Sequence, residues 1–277
     1  MKPKLVVIGA AGRMGKRLLL LAAESGEFDI IAAVERQGHP DIGKDAGLVA
    51  AAGPINVKLT DVFPAAGDPQ PRLGTGVAGA CVAIDFSQPE AADKTIDYCL
   101  ENNVALVSGT TGLNNRQREK IEAASQKIPI IYGTNMSVGM NVLFNLVGKV
   151  ATMLGDEYDI EIIEQHHRFK KDAPSGSALT LAENICKATG RDMDGTLTHG
   201  RSGDGLRQKG TIGMHAVRAG DITGVHSVIF GTLGETVTLN HTANSRDTFV
   251  RGALRAAKWL VGKEPALYSM ADVLGIE

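Results

Sequence analysis

Short β-branched and apolar runs alternate with stretches whose apolar residues recur every three or four positions, and this period switches repeatedly along the first half of the chain. Runs at Lys4–Gly9, Asp29–Glu35, Ala80–Phe86, Val104–Ser108 and Ile128–Tyr132 read as strands. Helical patterns at Arg13–Ser25, Pro89–Asn102 and Asn114–Lys127 lie between them. Strand-helix alternation of this kind predicts a parallel, doubly wound sheet. The stretch Phe63–Gly79, dense in Pro and Gly, reads as a surface loop or an insertion rather than an element.

After Asn135 the texture changes. Met140, Leu143, Phe144, Val147, Val150, Ala151 and Leu154 form a stripe at helical spacing, on one long helix that leads into a second domain. That domain is expected to carry a strand at Tyr158–Glu164, a helix at Ala178–Thr189 and a β-rich tail at Gly210–Arg218 and Val225–His241. On both faces the tail carries apolar groups: Val225 and Ile229 on one, Val228 and Phe230 on the other. A sheet covered on both sides needs partner surface, which points to packing against other subunits. The amphipathic helix Thr248–Leu260 is expected to return to the first domain. The domains are therefore expected at 1–136 with 247–277, and at 137–246.

Composition narrows the class. A chain of 277 residues with 43% hydrophobic content suits two domains, or one large one with a well-buried core. Lys and Arg number 29 and Asp and Glu 31, so the formal charge is -2, and aromatics are only 4%. A nucleic-acid binder needs clustered cations or stacking rings, and both are scarce. Cys81, Cys99 and Cys186 are odd in number and form no CxxC pair, which excludes a disulfide framework and a structural zinc site and fits a reducing cytoplasm. The apolar Leu5–Ile8 is too short for a signal peptide and is followed at once by Arg13, Lys16 and Arg17. No run approaches the roughly 20 apolar residues that cross a bilayer, so a soluble protein without membrane partners is expected. Glycine, at 33 of 277 residues, is about 12% against a usual share of about 7%, pointing to tight turns and close backbone approach to ligand.

The first chemical motif is Gly9-Ala10-Ala11-Gly12-Arg13-Met14-Gly15, between the first strand and the first helix. Glycines there let backbone approach a pyrophosphate, and the helix start offers N–H groups and the positive end of its dipole. The spacing is GxxGxxG rather than GxGxxG. A P-loop frame fails because it would need glycine at Ala10 and Ser or Thr at Arg17. What sharpens the motif is Glu35, twenty residues beyond Gly15 at the end of the second strand, where a carboxylate can accept hydrogen bonds from ribose hydroxyls. Arg36 beside it could bind a 2′-phosphate. A plain strand-turn-helix with a surface Glu-Arg pair would not require strand, turn, helix and acid in this order. Two further glycine-polar turns, Ser108-Gly109-Thr110-Thr111-Gly112 and Gly133-Thr134-Asn135-Met136-Ser137, close later strands and are expected on the same sheet edge, flanking the nicotinamide end. Either turn alone would be ordinary loop chemistry.

The densest cluster runs Glu164-Gln165-His166-His167-Arg168-Phe169-Lys170-Lys171-Asp172-Ala173-Pro174-Ser175-Gly176-Ser177, from a strand end into a helix. Two imidazoles, an Arg and two Lys within six residues repel one another, which makes sense where an anion is to be bound. Ser175-Gly176-Ser177 then opens a helix whose amides and hydroxyl can grip a carboxylate. Metal binding by His166 and His167 is disfavoured, since neighbours on a strand point to opposite faces. His39, His199, His215, His226 and His241 carry no partner pattern and read as structural or surface residues. Met193–Lys209 reads as a flexible polar segment, with Arg201 and Arg207 as weaker anion candidates.

Together VVIGAAGRMG, SGTTG, NMSVGMN, EQHHRFKKDAPSGSA and GTIGMHAVRAGDITGVHSVIF closely resemble the dihydrodipicolinate reductases, also called 4-hydroxy-tetrahydrodipicolinate reductases, over nearly the whole chain. The resemblance implies an α/β protein with a Rossmann-type doubly wound domain, plus a second α+β domain whose mixed sheet serves substrate binding and oligomerisation. It implies reduction with NADH or NADPH of a small cyclic dicarboxylate in the diaminopimelate route to lysine, by a homotetramer. By position, proton transfer falls on His166 and Lys170, and substrate contacts on His167, Gly176 and Ser177. Cofactor contacts fall on Gly9, Ala10, Ala11, Gly12, Arg13, Met14, Glu35, Arg36, Gly109, Thr110, Thr111, Gly133, Thr134, Asn135 and Met136. Two positions depart from the pattern: Phe169 stands where many members have a further His, and Gln88 where some have Arg.

The expected chemistry is transfer of a hydride to the unsaturated ring while a protein acid supplies the proton, with cofactor and substrate facing each other across a cleft and hinges near Asn135–Val138 and Ser245–Asp247. The rival reading, a non-catalytic NAD(P)H sensor, needs no proton donor and leaves the basic His-Lys cluster without a reason.

Overall fold

The computed structural model describes residues 2–64 and 81–276, so the Phe63–Gly79 loop lies, beyond Pro64, outside the described residues. The chain divides into two units, one formed by residues 1–137 and 246–275, the other by 138–245.

In the first unit the elements are β1 (Lys4–Ile8), α1 (Arg13–Ser25), β2 (Asp29–Val34), α2 (Ala46–Val49), β3 (Leu59–Thr60), β4 (Cys81–Asp85), α3 (Pro89–Glu101), β5 (Ala105–Ser108), α4 (Asn115–Ser125) and β6 (Ile130–Tyr132). In the second unit come α5 (Val138–Leu154), β7 (Asp159–His166), α6 (Gly176–Thr189), α7 (Met193–Thr196), β8 (Leu197–His199), β9 (Ile212–Arg218), β10 (Gly224–Thr232) and β11 (Glu235–Ala243). The chain then rejoins the first unit with α8 (Asp247–Leu260), β12 (Leu267–Tyr268) and α9 (Met270–Leu274).

The first sheet has seven parallel strands in the order β12-β6-β5-β4-β1-β2-β3. Its central strands are apolar on both faces; Leu5, Val6 and Val7 in β1 and all of β4 are buried, as a parallel sheet covered by helices on both sides requires. Helix limits follow local chemistry. Gly26 ends α1 in the left-handed conformation, Pro89 opens α3 at its first turn, and Asn114 and Gln117 form a reciprocal capping box on α4. Register matters most for function. Ile8 lies opposite Asp85, Asp85 opposite Ser108 and Ser108 opposite Tyr132, so the strands end in line. Sequence order reverses between β1 and β4, the switch point at which such sheets bind ligands.

The second unit holds a mixed sheet in the order β11-β10-β7-β9-β8, with β7-β9 and β8-β9 parallel and the β10 pairings antiparallel. Helices α5 and α6 bury one face of it: Ile160, Ile162, Met214, Val228 and Phe230 join Met140, Leu143, Val147, Leu181 and Ile185 in one core. The other face, with Ile163, Val225 and Ile229, is half-buried. Among the described residues, Val138–Glu157 is the one helical stretch long and apolar enough by composition to cross a membrane. It is more apolar than the sequence reading allowed, but Met140, Leu143, Val147 and Ala151 on it belong to this core.

Several limits differ from expectation. The strand expected at Tyr158–Glu164 runs on to His166, and the tail expected at Val225–His241 is two strands joined at Leu233-Gly234. The polar segment Met193–Lys209 begins with α7 and β8 rather than as loop, because Asp192 caps Gly195 N–H and β8 pairs with β9.

Candidate functional site

The glycine turn leaves β1 at its aligned end. Gly9 has a positive φ of 72°, and Gly9 and Ala10 both donate to the Val34 carbonyl, bending the chain over β2. A side chain at Gly15 would place its Cβ 2.1 Å from the Gly9 carbonyl, so only glycine lets α1 start this close to the turn. The first turn of α1 has no side-chain cap and no acidic residue, leaving a start suited to phosphate oxygens. Gly12 and Arg13 are exposed, Ala11 and Met14 half-buried, and Ala10 buried.

Glu35 follows β2 directly. One carboxylate oxygen accepts the Ala11 N–H at 2.9 Å and the other the Arg36 N–H at 2.9 Å, while the Arg36 side chain is exposed. The turn, the acid and the cation are thereby brought together.

The two other turns leave the same edge. Gly109 N–H bonds the Asp85 carbonyl at 2.9 Å and Gly133 N–H the Ser108 carbonyl at 3.1 Å. Thr110 and Met136 are buried, Thr111 and Thr134 exposed, and the Asn135 side chain accepts the Ser137 N–H at 2.9 Å. Between them Asp85, which sequence reasoning passed over, is buried at the end of β4. Burial pushes its carboxyl up from the usual range against the hydrogen bond it accepts from Ser87 N–H at 2.8 Å.

In the second unit, the Glu164–Ser177 segment runs from the end of β7 into α6. Ser175 caps α6 through the Ala178 N–H at 3.2 Å. At the centre is Glu164, 1% exposed, which accepts from His166 Nδ1 at 2.6 Å, from both Arg218 terminal nitrogens at 2.8 and 2.7 Å, and from Ser175 N–H at 3.0 Å. Burial pushes this carboxyl up, but the bonds from His166, Arg218 and Ser175 overcome it and bring it down to about 2. Arg218 also donates to the Asp172 carbonyl, and Lys170 Nζ pairs with Asp172 at 2.9 Å. His166, Lys170 and Ser175 are thus tied to one network. His167 is half-buried, its ring 6.2 Å from that of Phe169, which is 78% exposed. Gly176 is exposed and Ser177 half-buried at the start of α6.

Two residues of this network escaped the sequence reading. Arg218 lies opposite His166 on β9, and His226 lies opposite Glu164 on β10. Read as one of the partnerless histidines, His226 is buried, bonds Ser175 Oγ at 3.2 Å and meets the His166 ring edge-on at 5.2 Å. Burial lowers its pKa to about 3, with His166 adding to the effect. The available signal was that His226 alternates in phase with Val228 and Phe230 on the core face of its strand. Of the weaker anion candidates, Arg207 is committed to Asp159 and Glu161 at 2.7 and 2.8 Å, and Arg201 donates to the Gly205 carbonyl. Among the described residues no cluster has the make-up of a metal site.

Family models described as dihydrodipicolinate reductase, N-terminus, and dihydrodipicolinate reductase, C-terminus, match residues 3–136 and 139–274. Over 275 residues, 99% of each chain, the sequence is 44% identical to a 4-hydroxy-tetrahydrodipicolinate reductase of Trichlorobacter lovleyi. It is also 44% identical to the protein of the same name from Syntrophus aciditrophicus, over 98% of each chain. A dipicolinate-bound dihydrodipicolinate reductase from Paenisporosarcina sp. TG-14 has a similar fold, with a TM-score of 0.73 at 21% identity over 98% of this chain and 99% of that one.

Proposed function

The chain belongs to the dihydrodipicolinate reductase family, and on that premise we propose that it reduces 4-hydroxy-tetrahydrodipicolinate, by way of dihydrodipicolinate, to tetrahydrodipicolinate in the diaminopimelate route to lysine, using NADH or NADPH. The observation that carries this reading is the Glu164–His166 pair at 2.6 Å beside the Ser175-capped start of α6. A proton donor next to carboxylate-binding amides is what reduction of an anionic ring needs, and a protein that only senses NAD(P)H has no use for it.

The residues divide the work by their chemistry. Gly9, Ala10, Ala11, Gly12, Arg13 and Met14 hold the pyrophosphate at the uncapped start of α1, whose lack of an acid suits an anion. Glu35 takes ribose hydroxyls and Arg36 a 2′-phosphate. Gly109, Thr110 and Thr111 with Gly133, Thr134, Asn135 and Met136 serve the nicotinamide end. When bound, the dihydronicotinamide supplies the hydride. His166 and Lys170 hold the proton that completes the reduction, and His167, Gly176 and Ser177 bind the substrate's carboxylates.

The same reading includes a homotetramer in the cytoplasm. Its supports are the half-buried face of the mixed sheet with Ile163, Val225 and Ile229, and three cysteines that are all buried and unpaired. Sedimentation of the purified protein at micromolar concentration checks the assembly, and a monomer there removes that part. The activity is tested by following NADH and NADPH oxidation with substrate freshly made by condensing pyruvate with aspartate semialdehyde. Oxidation should require the condensation product; no substrate-dependent oxidation with either cofactor overturns the proposal.

A further inference from the structure

The sequence assigns no role to Glu164, yet its carboxylate joins three elements of the second unit. Its carboxylate receives four bonds, from His166 Nδ1, from both terminal nitrogens of Arg218 and from the Ser175 amide, on β7 itself, on β9 and at the start of α6. At 1% exposure it can exchange none of these for water, and a buried carboxylate is stable only while its partners stay in place. The Nε2 side of the His166 ring lies against a position without a side chain. Gly224 lies there on β10, and a Cβ at that position would stand 3.2 Å from His166 Nε2.

We infer that Glu164 is the positioning residue for proton transfer by His166: it binds the Nδ1 side of the ring, fixes the hydrogen on Nδ1 in the neutral form, and leaves Nε2, over the bare backbone of Gly224, as the atom that gives the proton to the substrate. This rests on the reductase reading. During transfer the proton leaves Nε2 for the substrate, the imidazolium becomes a neutral ring that keeps its Nδ1–H on Glu164, and Glu164 remains ionised throughout.

The groups around His166 support this division. Arg218 on β9 saturates Glu164 from the far side and keeps it charged, and Lys170 pairs with Asp172 on the loop. His226 on β10, with His241 beyond it on β11, is the other imidazole near the site. Ser175 Oγ accepts the Ala178 N–H and shares a hydrogen bond with His226 Nε2, and burial keeps His226 neutral. Of the two adjoining rings His166 is the one hydrogen-bonded directly to a carboxylate, which orients it.

The test has two arms. In the first, nitrogen-15 NMR of histidine-labelled protein is recorded above neutral pH, with the His166 signals identified by their loss in His166→Gln. The neutral ring should carry its hydrogen on Nδ1; a hydrogen on Nε2 overturns the inference, and this readout needs neither substrate nor cofactor. In the second, the pH profile of kcat/KM is compared between the natural protein and Glu164→Gln. Loss of the charge should displace the limb on which activity falls with rising pH toward lower pH. A uniform loss at every pH with no displacement would assign Glu164 a purely structural role and overturn the inference. Should Glu164→Gln not fold, because Arg218 loses the charge that faces it, the NMR arm on the natural protein decides. A natural protein inactive toward the substrate but with His166 as the Nδ1–H form would count against the reductase reading and not against the positioning.

Discussion

The carboxylate of Glu35 accepts the amide hydrogen of Ala11 at 2.9 Å, across 24 residues of sequence. The acid that closes the second strand is therefore fastened to the glycine turn that closes the first. Its other oxygen takes the Arg36 amide, which directs backbone, not side chain, toward the acid and leaves the guanidinium exposed beside it. A carboxylate held this way retains lone pairs for hydroxyl donors, while the neighbouring cation remains available to a phosphate.

Arg36→Ala should accordingly raise the KM for NADPH much more than the KM for NADH, a selective loss of about 1 to 3 kcal/mol for one charge-assisted contact. Steady-state kinetics with both cofactors check it. Equal losses would mean that Arg36 does not read the 2′-phosphate.

Gly15→Ala should destabilise the first unit. The added Cβ would fall 2.1 Å from the Gly9 carbonyl and 2.6 Å from the Ala10 Cα, both backbone, so the turn or the helix must move. Overpacking of this kind costs about 1 to 3 kcal/mol, and the displaced turn should weaken both cofactors alike. Urea unfolding with fluorescence titration of NADH measures the two effects; unchanged stability and unchanged affinity would show that the turn can yield without cost.

The first unit was largely legible because its signals are local. Gly9, Gly12 and Gly15 follow an apolar run and open an amphipathic helix, and Glu35 stands at the next strand end, so each piece is defined within a few residues. Strands β3 and β12 were not legible, since each is two residues long and exists through pairing with β2 or β6 rather than through any run of its own. The cluster at His166–Ser177 was visible as charge and imidazole in sequence. Its centre was not: Arg218 is 54 residues from Glu164, and His226 comes opposite Glu164 only through antiparallel register. Spacing carries no trace of such partners, whereas alternation along β10 placed His226 on the core face and could have marked it.

Two groups of this network contribute to the acid sensitivity of the fold, in windows that overlap only in part. Burial depresses His226 from 6.5 to about 3, so between those values the unfolded chain binds a proton that the folded protein refuses. Stability should fall as pH drops through this range. Glu164 is held down at about 2 from 4.5, so its contribution is complete above 4.5 and is lost as pH falls from there toward 2. The span from 6.5 to 4.5 thus belongs to histidine, with His241, also lowered by burial, acting in the same direction. Denaturation midpoints at pH 7 and pH 5 should differ less in His226→Gln than in the natural protein. The same difference in both would remove His226 from the account.

The last prediction separates the two proton-transfer candidates. His166 lies at the end of β7 against Glu164, whereas Lys170 follows a turn in which its amide bonds the His167 carbonyl at 3.1 Å and its ammonium pairs with Asp172. Asp172 is more exposed than Lys170, so a substrate carboxylate can take its place on the ammonium at little cost, since exposed pairs contribute about 0 to 1 kcal/mol. His166→Gln should therefore lower kcat by about 100- to 10,000-fold, the usual worth of general acid catalysis, with little change in cofactor affinity. Lys170→Ala should lower kcat and also raise the KM for the dicarboxylate, because the ammonium serves binding as well as protonation. Phe169→Ala should matter less than either, its ring being 78% exposed and without a proton to give. If His166→Gln keeps near-normal turnover from pH 6 to pH 8 while Lys170→Ala is inactive, the acid is Lys170 or a water it orients, and the carboxylate behind His166 serves only the fold.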